Sequence, residues 1–146
     1  MSSIIGARST RIVQTKINKN YPLFAEYGGE KEMGEMKEAV EQVMDMLKLM
    51  SKEQPETIRY FKEFMGSVLK EGKLDTKTKE LIAIGTAITA RCKYCIAIHV
   101  EKALKAGATK DEILEAASVA ILMGGGPAMT YVVEVKKALE EFLGDA

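Results

Sequence analysis

Four side chains in this sequence have the types and spacing to pass electrons and protons among themselves: Glu80, Cys92, Cys95 and His99. Cys92, Cys95 and His99 stand at i, i+3 and i+7, which on a helix of about 3.6 residues per turn confines them to an arc of about 60°. Cα atoms three apart on a helix are about 5 Å from each other, inside the usual disulfide range of about 4.4 to 6.8 Å. Such a pair can close and open with little backbone movement, as a reversible dithiol–disulfide switch requires. His99, one turn beyond Cys95, can exchange a proton with it directly or through a water. Glu80 enters the most apolar helical stretch of the chain, where a carboxylate is partly withdrawn from water.

For these residues to cooperate, the chain must turn. In one continuous helix Glu80 and Cys92 would be about 18 Å apart. A reversal near residues 90–91 instead brings Glu80 level with residues 99–103, facing His99. The same break places Cys92 at a helix N-terminus, where free amides and the helix dipole favour a thiolate. The dipole acts more on Cys92 and His99 lies nearer Cys95, so spacing alone leaves open which sulfur attacks. Two other chemistries are weaker. Zinc could use Cys, Cys and His, but residues 92 and 99 start about 10 Å apart along one axis and no second pair exists. Haem attachment needs His directly after the second cysteine, where Ile96 stands.

The surrounding pattern is all-α, a bundle of about six helices, with residues 1–29 as an irregular N-terminal arm and residues 30–146 as one helical domain. The first helix is expected over 31–50, with Val40, Val43, Met44, Leu47 and Met50 forming its apolar stripe and Met33, Met36 and Met46 adding adaptable apolar surface, as filler for the core or a subunit contact. A second starts at Pro55, carries Ile58, Phe61, Phe64, Met65 and Leu69 on one face, and holds Gly66 as a mark of close packing. The third opens at Leu74-Asp75-Thr76 and, apolar nearly all round over 81–88, must be central. The fourth carries the cysteines to Ala106, with Gly107 as its stop. Thr109 to Glu112 form a capping box for a fifth, running to about Met123. Gly124-Gly125-Gly126-Pro127 is a helix-to-helix turn, since the strand, lysine and hydroxyl of a phosphate loop are missing. A sixth helix follows to about Phe142, with Lys136, Lys137, Glu134, Glu140 and Glu141 as a solvated face.

Composition narrows the function further. With 146 residues the chain can bury one real core, and 21 basic residues against 21 acidic ones leave no field to gather a nucleic acid. The start lacks a signal peptide, and no later run approaches the length needed to cross a bilayer, so a cytoplasmic protein is expected. Two cysteines are too few for a secreted disulfide framework. The apolar first and third helices offer more surface than one small bundle covers, which predicts a homo-oligomer.

Glu80, the run Cys92-Lys93-Tyr94-Cys95, and His99 resemble the active-site pattern of the alkylhydroperoxidase D family, within the carboxymuconolactone decarboxylase-like superfamily. The similarity covers about residues 55–142, including Lys77 to Ile82, Ala106 to Thr109 and the Met123 to Ala128 turn. The resemblance implies a thiol-dependent peroxidase or disulfide oxidoreductase that reduces hydroperoxides without metal or organic cofactor. It assigns attack to Cys95, resolution to Cys92, and a proton relay to Glu80 and His99. It also implies a dihydrolipoyl or thioredoxin-like dithiol as reductant, and a trimer or hexamer. The sequence departs from the peroxidase-active pattern at Tyr94, where histidine commonly precedes the second cysteine. The alternatives are a decarboxylase-like lyase, which does not rely on a cysteine pair, and a non-catalytic helical assembly module.

Overall fold

The structure, a computed structural model, describes residues 34–144, so the expected N-terminal arm and the start of the first helix lie outside the described residues. Five helices follow in order: α1 (Glu35–Glu53), α2 (Pro55–Leu69), α3 (Thr76–Thr89), α4 (Lys93–Lys105) and α5 (Lys110–Leu143). Local chemistry sets their starts. Pro55 occupies the first turn of α2, where its missing N–H costs nothing. The Asp75 carboxylate accepts from the Thr78 N–H at 2.7 Å to begin α3. The Thr109 hydroxyl accepts from the Glu112 N–H at 3.2 Å while the Glu112 carboxylate accepts from the Thr109 N–H at 2.8 Å, completing the expected capping box.

The expected fifth and sixth helices run on as one element, α5, bent where the turn was placed: Gly125 has φ +65 and ψ −152. Gly125 is non-helical, so the two expected helices are both present and meet at a kink inside the span α5. A Cβ on Gly124 would lie 2.6 Å from the Ala128 Cβ and 3.2 Å from Thr89, so glycine is needed for α5 to pass the end of α3. By length and composition α5 could cross a bilayer, which corrects the expectation that no run approaches that length. Its longer arm, Gly126 to Leu143 beyond the kink, spans about 27 Å against a hydrocarbon core of about 30 Å and carries Glu134, Lys136, Lys137, Glu140 and Glu141.

α3 is central, packed against α4, α5 and α2. Ile84 and Ile88 from α3 meet Ile96 and Val100 from α4 and Ile113 and Val135 from α5, all fully buried. Each such aliphatic side chain contributes roughly 1.5–3 kcal/mol relative to exposure. The alanines among them, Ala87, Ala97, Ala103 and Ala117, let the helix axes approach closely. Other expectations need revision. Met44, placed on the apolar stripe of α1, is exposed, as is Met46, whereas Met36 is fully buried as core filler. On α2 only Ile58 is buried; Phe61 and Phe64 face outward. Gly66 does not mark close packing, since a Cβ there would meet nothing within 4 Å.

Candidate active site

The turn on which the site depends is a helix end of defined type. Cys92 N–H donates to the Ala87 carbonyl at 3.0 Å and Arg91 N–H to the Ile88 carbonyl at 3.1 Å, the paired bonds of a Schellman motif closing α3. Its left-handed position is normally glycine, as at Gly107 (φ +88) after α4, but here it is Arg91 with φ +55. The chain thus reverses, and Cys92 becomes the N-cap of α4 in extended conformation. Its sulfur accepts from the Cys95 N–H at 3.2 Å. Cys92 and Cys95 are joined by a disulfide with a Cα–Cα distance of 5.2 Å, matching the helical spacing of the pair.

The reversal also delivers Glu80 to His99. The His99 Nδ1 lies 2.6 Å from a Glu80 carboxylate oxygen; the glutamate side chain is 3% exposed and the histidine 22%. Glu80 is the one charged residue among the described residues whose side chain is buried, and burial without a partner would be costly. With the carboxylate ionised, Nδ1 carries the proton and donates it, leaving Nε2 as the acceptor. His99 lies one turn from Cys95 on the same face of α4. The structure therefore brings all four expected residues together as a disulfide one turn from an imidazole held by a buried carboxylate.

Part of the face of α5 expected to be solvated, Glu134, Lys137 and Glu141, instead joins a polar network with α1, while Lys136 and Glu140 stay exposed. The carboxylate of Glu141, far along α5, accepts from the N–H groups of Met36 (2.9 Å) and Lys37 (2.9 Å), capping α1 from outside. A side chain at Gly34 would collide with Glu141, so glycine admits this cap. Glu35 binds both Lys93 (2.6 Å) and Lys137 (2.8 Å), and Lys137 also reaches Glu134 at 3.1 Å. Hydrogen bonds from Lys137 and then Lys93 hold the Glu35 carboxyl down at about 2. Tyr94 donates to the Gln42 side-chain oxygen at 3.1 Å. Both residues between the cysteines thus grip α1. Partners more than fifty residues apart leave no periodic trace, so spacing could not have found them.

Comparison with known proteins agrees with this arrangement. The model of the carboxymuconolactone decarboxylase family matches residues 55–138, more than half of the chain. The chain belongs to the carboxymuconolactone decarboxylase family. An uncharacterised protein of Cupriavidus necator is 35% identical over 89 residues, 61% of this chain and 76% of that one. A family protein of Legionella pneumophila, solved in its apo form, superposes with a TM-score of 0.73 at 37% identity, covering 75% of this chain and 97% of its own. A second, from Thermotoga maritima, gives 0.66 at 32% identity over 73% and 91%; an involvement in the antioxidative response has been suggested for that protein. The family match spans Glu80, Cys92, Cys95 and His99, while α1, with Glu35 and Gln42, lies outside it.

Proposed function

We propose that this family member is a thiol-dependent peroxidase or disulfide oxidoreductase, with Cys92 and Cys95 as its redox pair and Glu80 and His99 as its proton relay. The observation that carries the reading is the Cys92–Cys95 bridge one turn from an imidazole held by a buried carboxylate. In the reduced protein His99 takes the Cys95 proton, and the thiolate attacks the terminal oxygen of a hydroperoxide ROOH. The O–O bond breaks, ROH leaves with the proton, and Cys95 becomes a sulfenic acid. The Cys92 sulfur then attacks Cys95, the S–O bond breaks, and water leaves with the proton of the Cys92 thiol. Two thiols and ROOH thus give a disulfide, ROH and water. An external dithiol, of the dihydrolipoyl or thioredoxin type, returns two electrons and two protons. Cys92, at the N-cap, leaves readily as a thiolate, which directs that reductant to the Cys95 sulfur.

The test is direct. Reduced protein treated with a hydroperoxide should lose two thiols per chain without intermolecular dimers, and should turn over when a dithiol is supplied. Unchanged thiols would sink the proposal. The family match itself favours a second reading, a lyase in which Glu80 and His99 act as acid and base on a lactone. That activity would survive replacement of both cysteines, whereas the peroxidase would not.

The reading includes a homo-oligomer, trimer or hexamer, at work in the cytoplasm, where dithiol carriers are kept reduced. A groove of about 420 Å³ between α3 and α5, with exposed Ile82, Val119 and Met123 along it, supports such assembly. A monomer in light scattering at micromolar concentration contradicts it.

A further inference from the structure

Resting on the peroxidase reading, we propose that the groove between α2, α3 and α4 binds an amphipathic carboxylate, so that the hydroperoxide presented to the thiols is one whose apolar body ends in a carboxylate. The groove measures about 480 Å³, within the range of roughly 300–1,000 Å³ usual for small-molecule sites. Met65 and Leu69 of α2 and Ala106, which caps the end of α4, form its apolar wall. Gly66 sits in the interior of α2, where glycine costs about 1 kcal/mol relative to alanine. No neighbour demands it, because a Cβ there meets nothing within 4 Å. What the missing side chain does is keep the groove wide.

The charges along this groove are specific. Lys62, Lys102 and Lys105 line it, and Glu80 lies at its inner end. Lys105 is paired with Glu101 at 2.7 Å and Glu80 with His99 at 2.6 Å. Among the described residues, Lys62 and Lys102 have no carboxylate within ion-pair distance, so the rim holds two uncompensated positive charges above an apolar wall. An anionic head with an apolar body satisfies both. A neutral alcohol forgoes the lysines, and a small polyanion leaves the wall unfilled.

The register fits the chemistry. Lys102 is one turn, and Ala106 two turns, beyond His99 on α4, about 10 Å along the axis. A carboxylate held at the lysines lets its chain run back along α2 toward Glu80, which lines the groove and bonds the imidazole one turn from Cys95. The head therefore sets how far along the chain the peroxide must lie to meet the sulfur.

Calorimetric titration of the oxidised protein with decanoate and with 1-decanol tests this without turnover. Decanoate should bind one per chain, and 1-decanol at least tenfold more weakly. Lys102→Glu should weaken decanoate at least tenfold, and Gly66→Leu, which fills the groove, should abolish binding. Lys48→Glu on the far part of α1 should leave affinity unchanged. Gly66→Ala, which needs no repacking, should fold at least as stably as the wild type and bind decanoate less tightly, so the wall is tested even if the leucine variant fails to fold. The proposal is overturned if wild type binds no decanoate, or if Lys102→Glu and Gly66→Ala bind as wild type does. It is also overturned if Gly66→Leu gives a smaller assembly while decanoate never binds, since a second copy then covers the groove. Such failures leave the thiol chemistry standing. A protein that binds decanoate yet loses no thiols to peroxide instead removes the reading on which this one rests.

Discussion

Replacing Arg91 by glycine should stabilise the protein. Arg91 holds φ +55 at the left-handed position of the α3 end, where a side chain is crowded by the following carbonyl. That conformation costs an L-residue about 1–2 kcal/mol, and the greater freedom of glycine in the unfolded chain returns roughly 0.5–1 kcal/mol of the gain. The net is about 0.5–1 kcal/mol, or about 1–4 °C in Tm for a chain approaching 150 residues. The two backbone bonds of the motif, Cys92 to Ala87 and Arg91 to Ile88, are unaffected by the change. Arg91→Ala is the control, because alanine suffers the same backbone penalty and should show no such gain. Thermal melts of wild type and both variants, all oxidised, supply the comparison. If glycine fails to raise Tm, or alanine raises it as much, the arginine side chain and not its backbone decides this turn.

Single-turnover oxidation, trapped with a sulfenic-acid probe, should separate the two sulfurs. Cys95→Ser should not react, whereas Cys92→Ser should oxidise once and stop; the reverse pattern assigns attack to the N-cap cysteine. Glu80→Gln and His99→Gln should each slow oxidation on the order of a hundred- to ten-thousand-fold, and the double variant little more than the worse single one; additive losses would show that the two are not one relay. The Glu35 carboxyl, lowered to about 2 from an ordinary 4.5, contributes stability that is full above about pH 4.5 and lost as pH falls toward 2. Glu35→Gln should therefore flatten acid denaturation in that window, and salt should do the same because the pair is half-exposed; an unchanged acid limb refutes the assignment. Tyr94→His should change the oxidation rate less than about threefold, since position 94 faces Gln42 on α1; a tenfold gain would place it in the relay.

The parts of the site legible in the sequence are those carried by one helix or one turn. Cys92, Cys95 and His99 are linked by periodicity, and the Thr109 capping box by a four-residue pattern. The Glu80–His99 contact was legible only conditionally, because it needs a reversal that the sequence marks with arginine where glycine is usual. The break at Gly125 fell where the three glycines and Pro127 predicted it, because a left-handed glycine followed by a proline interrupts helical backbone. The misreadings concern faces. Phe61 and Phe64 have the spacing of a buried stripe but are exposed among the described residues, and Glu141 looks solvated until α1 arrives. What a periodic face packs against is decided by other segments, and hydrophobic spacing carries no information about them.

α4 sorts its duties by direction. Ile96, Ala97, Val100 and Ala103 point into the core, so they fix the helix against α3 and α5. Cys92, Cys95, His99, Lys102 and Ala106 follow one another at spacings of three and four, a single stripe from disulfide through imidazole to groove. Lys93 and Tyr94 point toward a third side and hold α1, which lies outside the family match. Because the three sides are separate, a change between the cysteines acts first on the grip of α1 and reaches the sulfurs only through the backbone. Tyrosine at position 94 is thus compatible with an intact Glu80–His99 pair. The residues flanked by the cysteines attach a neighbouring helix, and the proton handling proposed above falls to a carboxylate on α3 and an imidazole one turn further along α4.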